Sequence, residues 1–241
     1  KKSLQDKLKK YGTMAAAVAG GVASADAQIV YTDVVPDSTF CNDGDVYNLD
    51  LNNDMINDFT IVKSSSSGSN YGGSFPNMWS SSNSNRQIDV NPMASNQVLR
   101  MGSGAAALSS GASIGATASS WGGSTYMARG YSRWSYSVYT STYYNTSNST
   151  TSSNTYTWSS SSNTSYGNWN NQNNSDKYLG LEFDILGQTH YGWARLSVDN
   201  ANCFTIEEYA YESTPNTTIL AGDKGLSTSI SDLNLISDVT V

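Results

Sequence analysis

An Asp/Asn-rich loop is the segment of this sequence best suited to bind a cation. Oxygen-bearing side chains alternate along it at Asp50, Asn52, Asp54 and Asp58. Calcium takes six or more oxygen ligands, and alternate spacing lets one tight loop direct them to a single point. The backbone carbonyl of Ile56 would add another ligand. The spacing predicts a structural calcium site formed by these five residues.

The same loop departs from the usual calcium pattern at two positions. Met55 stands where such loops place glycine for its permissive backbone. Ile61 stands where a bidentate glutamate is common. Because Asp and Asn also hydrogen-bond readily to nearby backbone, a turn satisfied by its own N–H groups is the alternative.

Two acids on one strand could take part in glycoside hydrolysis. Glu182 and Asp184 are two residues apart, which places them on one face of a strand at about 6–7 Å. The pattern is similar to the Glu-x-Asp-x-x-Glu strand of β-glucan-cleaving jelly-roll glycosidases, which cleave with paired carboxylates. Gly187 replaces the third acid, so a solvent-facing polar side of the strand is favoured over a glycoside hydrolase.

His190 is the single histidine of the chain. A Ser-His-Asp or Cys-His triad would have to use it, and a zinc site with several histidines is excluded. It stands beside Tyr191 and Trp193 in a strand-like run, with no nucleophile motif nearby. We therefore expect a structural histidine and a protein that is not an enzyme.

Three runs near the end of the sequence alternate apolar and polar residues. They cover residues 178–185, 190–198 and 205–211, with a turn near Gly187 between the first two. Period-two patterning with β-branched and aromatic residues is typical of hairpins. The runs predict an antiparallel meander.

The middle of the chain, residues 63–175, is dominated by Ser, Asn, Thr, Gly and Tyr. Its polar tracts at 64–70, 145–153 and 159–165 predict long loops, because they offer little apolar surface to bury. Aromatic residues alternate with small ones around 133–139, which predicts strands with an aromatic face. Disorder of the whole region is the alternative.

Together these patterns predict an all-β fold, an antiparallel, jelly-roll-like β-sandwich over residues 28–222 with long Ser/Asn-rich loops. A polar tail follows at 223–241. Cys41 and Cys203 are the two cysteines. They predict either a disulfide that joins the two ends of the domain or two separate buried thiols.

The first 27 residues have the three parts of a secretory signal peptide. A lysine-rich start precedes an uncharged run at 11–22, and small-x-small sites follow. The uncharged run is shorter than a membrane span; an amphipathic helix lying on the domain is the alternative. The layout predicts cleavage of 1–27, a mature chain starting near Gln28, and a secreted or cell-surface location.

Net charge narrows the range of partners. The chain carries −7, and losing the five lysines and two aspartates of residues 1–27 would bring it to −10. A chain this acidic has no electrostatic footprint for nucleic acid or an anionic membrane. We expect neither a nucleic-acid partner nor a membrane span.

Several motifs resemble one group of sequences in their order. The group comprises uncharacterised secreted β-rich proteins of Gram-negative bacteria, many with a C-terminal surface-sorting signal. The resemblance implies export and a β-rich fold over most of residues 29–222. It rests on the His-Tyr-Gly-Trp motif at 190–193, the Tyr-Ala-Tyr-Glu motif at 209–212, the Asp/Asn loop at 50–59, and the segments 105–115 and 178–181.

Composition favours a structural role over chemistry. Exported chains rich in Ser, Thr, Asn, Gly and Tyr, with few charges, suit repeated packing, and exposed strand edges can pair between copies. We expect a surface or extracellular-matrix structural or adhesive protein whose partner is itself, as a homo-oligomer or filament. The alternative is a calcium-dependent module that binds surface glycans by stacking sugars on Tyr and Trp rings.

Overall fold

The computed structural model describes residues 28–118, 120–170 and 176–225. They form two large antiparallel sheets and a small two-stranded one, so the predicted all-β antiparallel fold is confirmed. The strands are β1 Ile29–Phe40, β2 Val46–Leu49, β3 Phe59–Ser74, β4 Asn77–Pro92, β5 Gln97–Met101, β6 Gly104–Ala105, β7 Ser113–Ile114, β8 Trp121–Gly122, β9 Thr125–Asn145, β10 Thr150–Tyr166, β11 Lys177–Ile185, β12 Gln188–Asp199, β13 Cys203–Glu212 and β14 Ile219–Leu220.

The seven-stranded sheet contains the predicted meander. Its order is β1-β13-β12-β11-β5-β6, with β8 also paired to β5. The β11–β12 turn falls at Gly187, where a positive φ of 83° requires a permissive residue. Leu179, Leu181 and Phe183 face the main core, as their alternation predicts.

The main core lies between the two large sheets. Phe59, Ile61 and Ile88 of the five-stranded sheet pack with Leu196 and Phe204 of the seven-stranded sheet. This packing agrees with a β-sandwich. A second core around Trp193 and Tyr191 covers the opposite face of the seven-stranded sheet, beneath β7 and β14. Because that sheet is buried on both faces, β12 shows a continuous buried run.

The five-stranded sheet, ordered β10-β9-β4-β3-β2, continues far beyond the core. We call its projecting part, residues 64–87 and 129–166, the arm, and the remaining described residues the body. The three Ser/Asn-rich tracts lie entirely inside the arm, in strands β3, β9 and β10 and the turn between the last two. The prediction of long loops was therefore wrong for these tracts.

The polar tracts form strands because pairing, rather than burial, satisfies their backbone. Each arm strand has a continuous register with its neighbour, such as Thr150 with Asn145 through Tyr166 with Arg129. Buried residues at the base, including Ile61 opposite Val90, fix that register. Once the base is fixed, each further pair adds ladder hydrogen bonds without closing a new loop.

Two contacts near the ends of the described chain complete the body. Cys41, directly after β1, and Cys203, the first residue of β13, are joined by a disulfide with 4.2 Å between their Cα atoms. Trp193 Nε1 donates to the backbone carbonyl of Asp223 at 3.1 Å. The first residues of the predicted tail therefore pack on the body. The predicted signal peptide and residues 226–241 lie outside the described residues.

Candidate functional site

The predicted calcium loop joins β2 to β3 and brings its acids together. Asp50 Oδ2 accepts a hydrogen bond from Met55 N at 2.8 Å. Asp54 Oδ1 accepts from Ile56 N at 2.8 Å, and Asn52 Nδ2 donates to Asp54 Oδ2 at 3.0 Å. The carboxylates thus bind the loop's own backbone, as the alternative interpretation predicts.

Met55 adopts the backbone conformation usually supplied by glycine. Its φ is +75°, and its side chain is almost fully exposed. Asn53 also lies in the left-handed region, with φ of +58°. The left-handed backbone expected of a glycine at this position is therefore present with Met55 in its place.

Asp58 anchors the loop from within the core. Its Oδ2 accepts from Leu51 N at 2.8 Å, and the residue is only 7% exposed. Burial raises the pKa of Asp58 to about 6, helped by the nearby charges of Asp50 and Asp54. In the described residues no three His, Cys, Asp or Glu side chains form a group that could hold a metal. A cation would need the amide and carbonyl oxygens as well.

The candidate catalytic residues are engaged in structural contacts. Glu182 Oε1 accepts from Gln97 Nε2 at 2.7 Å, and Asp184 Oδ1 accepts from Gly187 N at 2.9 Å. His190 is buried, and its Nδ1 donates to the carbonyl of Glu212 at 2.9 Å. The structure does not bring His190 into contact with either acid.

A buried ion network ties β12 to β13. Arg195 pairs with Asp176 and Glu207, and its Nε lies 2.7 Å from Glu208 Oε1. Burial raises the pKa of Glu207 to about 7, although Arg195 opposes the shift. This cluster was not predicted, since its members are far apart in sequence and belong to different strands.

Glu208 is the best satisfied acid of that network. Its Oε2 lies 2.5 Å from Lys224 Nζ and accepts from Tyr31 OH at 2.5 Å. Burial would raise its pKa, but the hydrogen bonds from Lys224, Tyr31 and Arg195 lower it overall. The network joins β1, β12, β13 and the C-terminal residues, so its role is structural.

The arm has two different faces. Side chains alternate along each strand, and directly paired residues share a face. The inner face continues the core side of the sheet and carries Trp134 and Tyr136, whose rings stack at 6.0 Å. The outer face carries Tyr156 and Trp158, stacked at 5.9 Å. The aromatic residues that alternate at 133–139 therefore do share a face of the sheet, but that face is exposed to solvent and not buried.

A row of three residues crosses the outer face. Ser137 of β9 pairs with Trp158 of β10 on one side and with Trp79 of β4 on the other. The two tryptophans stand about 10 Å apart at their backbones, given the spacing of strands. A Cβ on Gly72 would lie 2.8 Å from Trp79, so the indole lies directly on this glycine. We call Trp79, Ser137 and Trp158 the tryptophan row.

The tryptophan row borders an open groove of about 460 Å³. Its floor is serine hydroxyls, including Ser135, and Arg133 lies at its side. The arm contains three arginines, Arg86, Arg129 and Arg133, and no acidic residue. Arg86 donates to Asn202 and Arg129 pairs with Asp89, whereas Arg133 has no ion-pair partner in the described residues.

The outer strands of the two large sheets differ in how they are protected against pairing with strands of other molecules. The outer strand β1 has a register shift between Asp33 and Ser38, and this segment contains Pro36 and Asp37. Breaks, prolines and charges are the usual protection of an edge. The outer strand β10 has 17 residues without a charge, proline or glycine, and all but Thr164 are exposed. In the described residues its one neighbour is β9.

Sequence reasoning missed the tryptophan row and the open edge of β10. The row depends on pairing between residues far apart in the chain, which no local pattern reports. The edge had a visible signal, because β10 lies within residues 134–166, the longest stretch of the sequence with neither charge, proline nor glycine. Comparisons with protein-family models, curated proteins and solved structures find no match to this chain. No helix in the described part is long and apolar enough to cross a membrane.

Proposed function

We propose that this chain is an exported structural or adhesive protein of the cell surface or extracellular matrix that associates with further copies of itself. The observation that carries the proposal is the arm. It projects from the body with both faces exposed and ends at β10, an uncharged edge strand of 17 residues. An edge of this kind is a template for strand addition.

A second copy is the partner that best matches this edge. Seventeen residues span about 55 Å, so an added strand would gain many ladder hydrogen bonds. In antiparallel pairing about the midpoint of β10, Trp158 of each copy would lie opposite the other on the outer face. Aromatic cross-strand pairs stabilise sheets by a few tenths to about 1 kcal/mol each.

Lysine substitutions in one cross-strand row test this proposal on the exported protein. Ser159→Lys with Ser161→Lys adds charge to the edge strand. The matched control, Ser80→Lys with Ser82→Lys, adds the same charge on the same face, two strands inward. Sedimentation and negative-stain microscopy should show oligomers or filaments for the parent and the control, and monomers for the edge variant.

Other outcomes separate the competing modes of assembly. An equal loss of oligomers in the edge variant and in the control would indicate that copies associate by stacking their arm faces and not by edge pairing. A loss of oligomers in Ser69→Lys, at the opposite edge of the arm, would indicate that β10 of one copy pairs with β3 of the next. A parent that stays monomeric at all concentrations would overturn self-association.

Glycan binding is a second candidate, favoured by the tryptophan row. Trp79 and Trp158 are 47% and 55% exposed, and serine hydroxyls and Arg133 lie between them. Exposed aromatic faces can stack on sugar rings, and Arg133 would favour an acidic sugar. Trp158→Ala should abolish binding on a glycan array, while Trp134→Ala on the inner face should leave it unchanged. No bound glycan with the parent would remove this candidate.

Calcium is kept in the proposal as a structural ligand of the Asp/Asn loop. The charges of Asp50 and Asp54 add to the raised pKa of Asp58, and a divalent cation in the loop would offset this repulsion. Against it, their oxygens already accept backbone N–H groups. Chelator should lower the melting temperature of the parent and leave Asp54→Ala unchanged. An unchanged parent would exclude the calcium site.

A further inference from the structure

A buried acid at the end of β13 has half of its carboxylate without a partner. Glu212 is 1% exposed. Its Oε1 accepts from Gln28 N at 3.0 Å and from Thr214 N at 2.7 Å. Its Oε2 is buried and has no hydrogen-bond partner within the described residues. The carboxylate is therefore only half satisfied.

No cation among the described side chains compensates Glu212. The ion pairs of the body go to Glu207, Glu208, Asp176 and Asp89. His190 contacts the backbone carbonyl of Glu212 and not its carboxylate. A buried carboxylate without a counter-charge is strongly unfavourable. The contrast with Glu208, which has three side-chain donors, points to a missing positive group.

One of the two nitrogens that donate to Glu212 lies at the predicted processing point. Gln28 N, 3.0 Å from Glu212 Oε1, is the first backbone nitrogen after the small-x-small site formed by Ala25 and Ala27. As part of a peptide bond it has a single N–H and no charge. As a free terminus it would be an ammonium with three N–H donors.

We propose that Glu212 is the binding site for the new N-terminus made when the chain is cleaved between Ala27 and Gln28. Hydrolysis adds one water to that peptide bond, leaving a carboxylate on Ala27 and an ammonium on Gln28. The ammonium keeps the contact with Glu212 Oε1, supplies the missing counter-charge, and has two further N–H donors for the unpaired Oε2. The signal peptide's removal thus completes the fold by locking β1 to the end of β13. The inference rests on the export part of the proposed function.

The N-terminus can be moved without altering the rest of the exported protein. Ala27→Leu blocks the site after residue 27, while Ala23 and Ala25 keep the site after residue 25, so this chain should begin at Asp26. Intact mass identifies the first residue of each product. In the Ala27→Leu product the nitrogen of Gln28 remains an uncharged amide.

Glu212→Gln is then measured in both backgrounds. In the protein that begins at Gln28 it should lower the melting temperature by roughly 5 °C, since an ammonium loses its counter-ion. In the Asp26-start protein it should leave the temperature unchanged or raise it. The matched control Glu182→Gln, on β11, should shift both proteins equally.

Several results would overturn the inference. They are equal effects of Glu212→Gln in the two backgrounds, a mature chain that begins elsewhere than Gln28, or a Gln28 terminus that has lost ammonia by cyclising. If Glu212→Gln fails to fold, the two parents decide, because the Asp26-start protein should melt lower than the Gln28-start protein. An exported protein with another start leaves the export proposal intact, whereas retention of residues 1–27 contradicts both.

Discussion

The body and the arm share strands but are stabilised differently: the body by burial of apolar side chains, the arm by hydrogen bonds between strands. In β3 the residues from Phe59 to Lys63 alternate between buried and half-buried, and those from 65 to 74 are nearly all exposed. The same strand therefore begins in a core and ends in solvent. Burial fixes the register at the base, and the hydrogen-bonded ladder extends it outward.

The comparison teaches that strand formation and burial are separable in this chain. The body uses its apolar and charged side chains internally, as in the main core and the Arg195 network. The arm leaves aromatic rings such as Trp158 and nearly the whole length of its edge strand β10 exposed to solvent. Mutations of one residue type in the two regions should therefore differ sharply in their effects.

The largest difference should come from tryptophan. Trp193 is fully buried in the second core, whereas Trp134 is 44% exposed on the arm. Trp193→Ala should lower the free energy of unfolding by about 3–5 kcal/mol, because it leaves a cavity. Trp134→Ala should cost less than about 1 kcal/mol, the value of a stacked aromatic pair. Urea unfolding followed by circular dichroism measures both; comparable losses would show that the arm is part of the core's cooperative unit.

Arginine provides the next comparison. Arg195→Met leaves the buried carboxylates of Glu207 and Glu208 without their main counter-charge, and should cost about 3 kcal/mol. Arg133→Met, on the arm, should stay within about 0.5 kcal/mol. The same urea titrations report both values. A small effect of Arg195→Met would mean that Lys224 alone compensates the network.

The meander and the core-facing leucines could be predicted because their pattern is local. Leu179, Leu181 and Phe183 alternate in sequence as they do in space. Strands were also predicted around 133–139, and the structure has β9 there. The pattern is typical of strands with one buried face, whereas rings such as Trp158 and Tyr143 stand exposed on the arm.

The remaining features could not be predicted because they depend on pairing between distant segments. The tryptophan row needs the β4–β9–β10 register, and the contact between Gln28 and Glu212 spans 184 positions. The polar tracts were misassigned because composition reports how much a segment can bury. It does not report whether a neighbouring strand is anchored to extend the ladder.

Asp58 should make the stability of the body depend on pH. Its pKa is about 6 in the folded protein, above the usual aspartate value. Between about pH 4 and 6 the unfolded chain has lost this proton while the folded chain retains it, so stability falls as pH rises. Asp58→Asn keeps an acceptor for Leu51 N and should remove roughly 1–2 kcal/mol of that fall.

The difference between parent and variant isolates Asp58, because Glu207 titrates in both proteins. Urea unfolding at pH 4, 5, 6 and 7 gives the two curves. Parallel curves would show that Asp58 is not the group responsible. The arm contains no carboxylate, so Ser82→Asn on the arm is a suitable control and should leave the curve unchanged.

The smallest difference is expected between two residues with left-handed backbone conformations, one in the body and one in the arm. Met55 in the Asp/Asn loop has φ of +75°, and Ser149 in the β9–β10 turn has φ of +53°. Glycine adopts this conformation without steric cost. The relief of strain in Met55→Gly should stabilise the body by about 0.5–1 kcal/mol, and the greater freedom of glycine in the unfolded chain offsets part of this gain. Ser149→Gly relieves similar strain at the tip of the arm, far from the core, and should leave the global unfolding midpoint unchanged. Equal shifts would mean that the arm tip unfolds together with the body, which would contradict the separation of ladder from core.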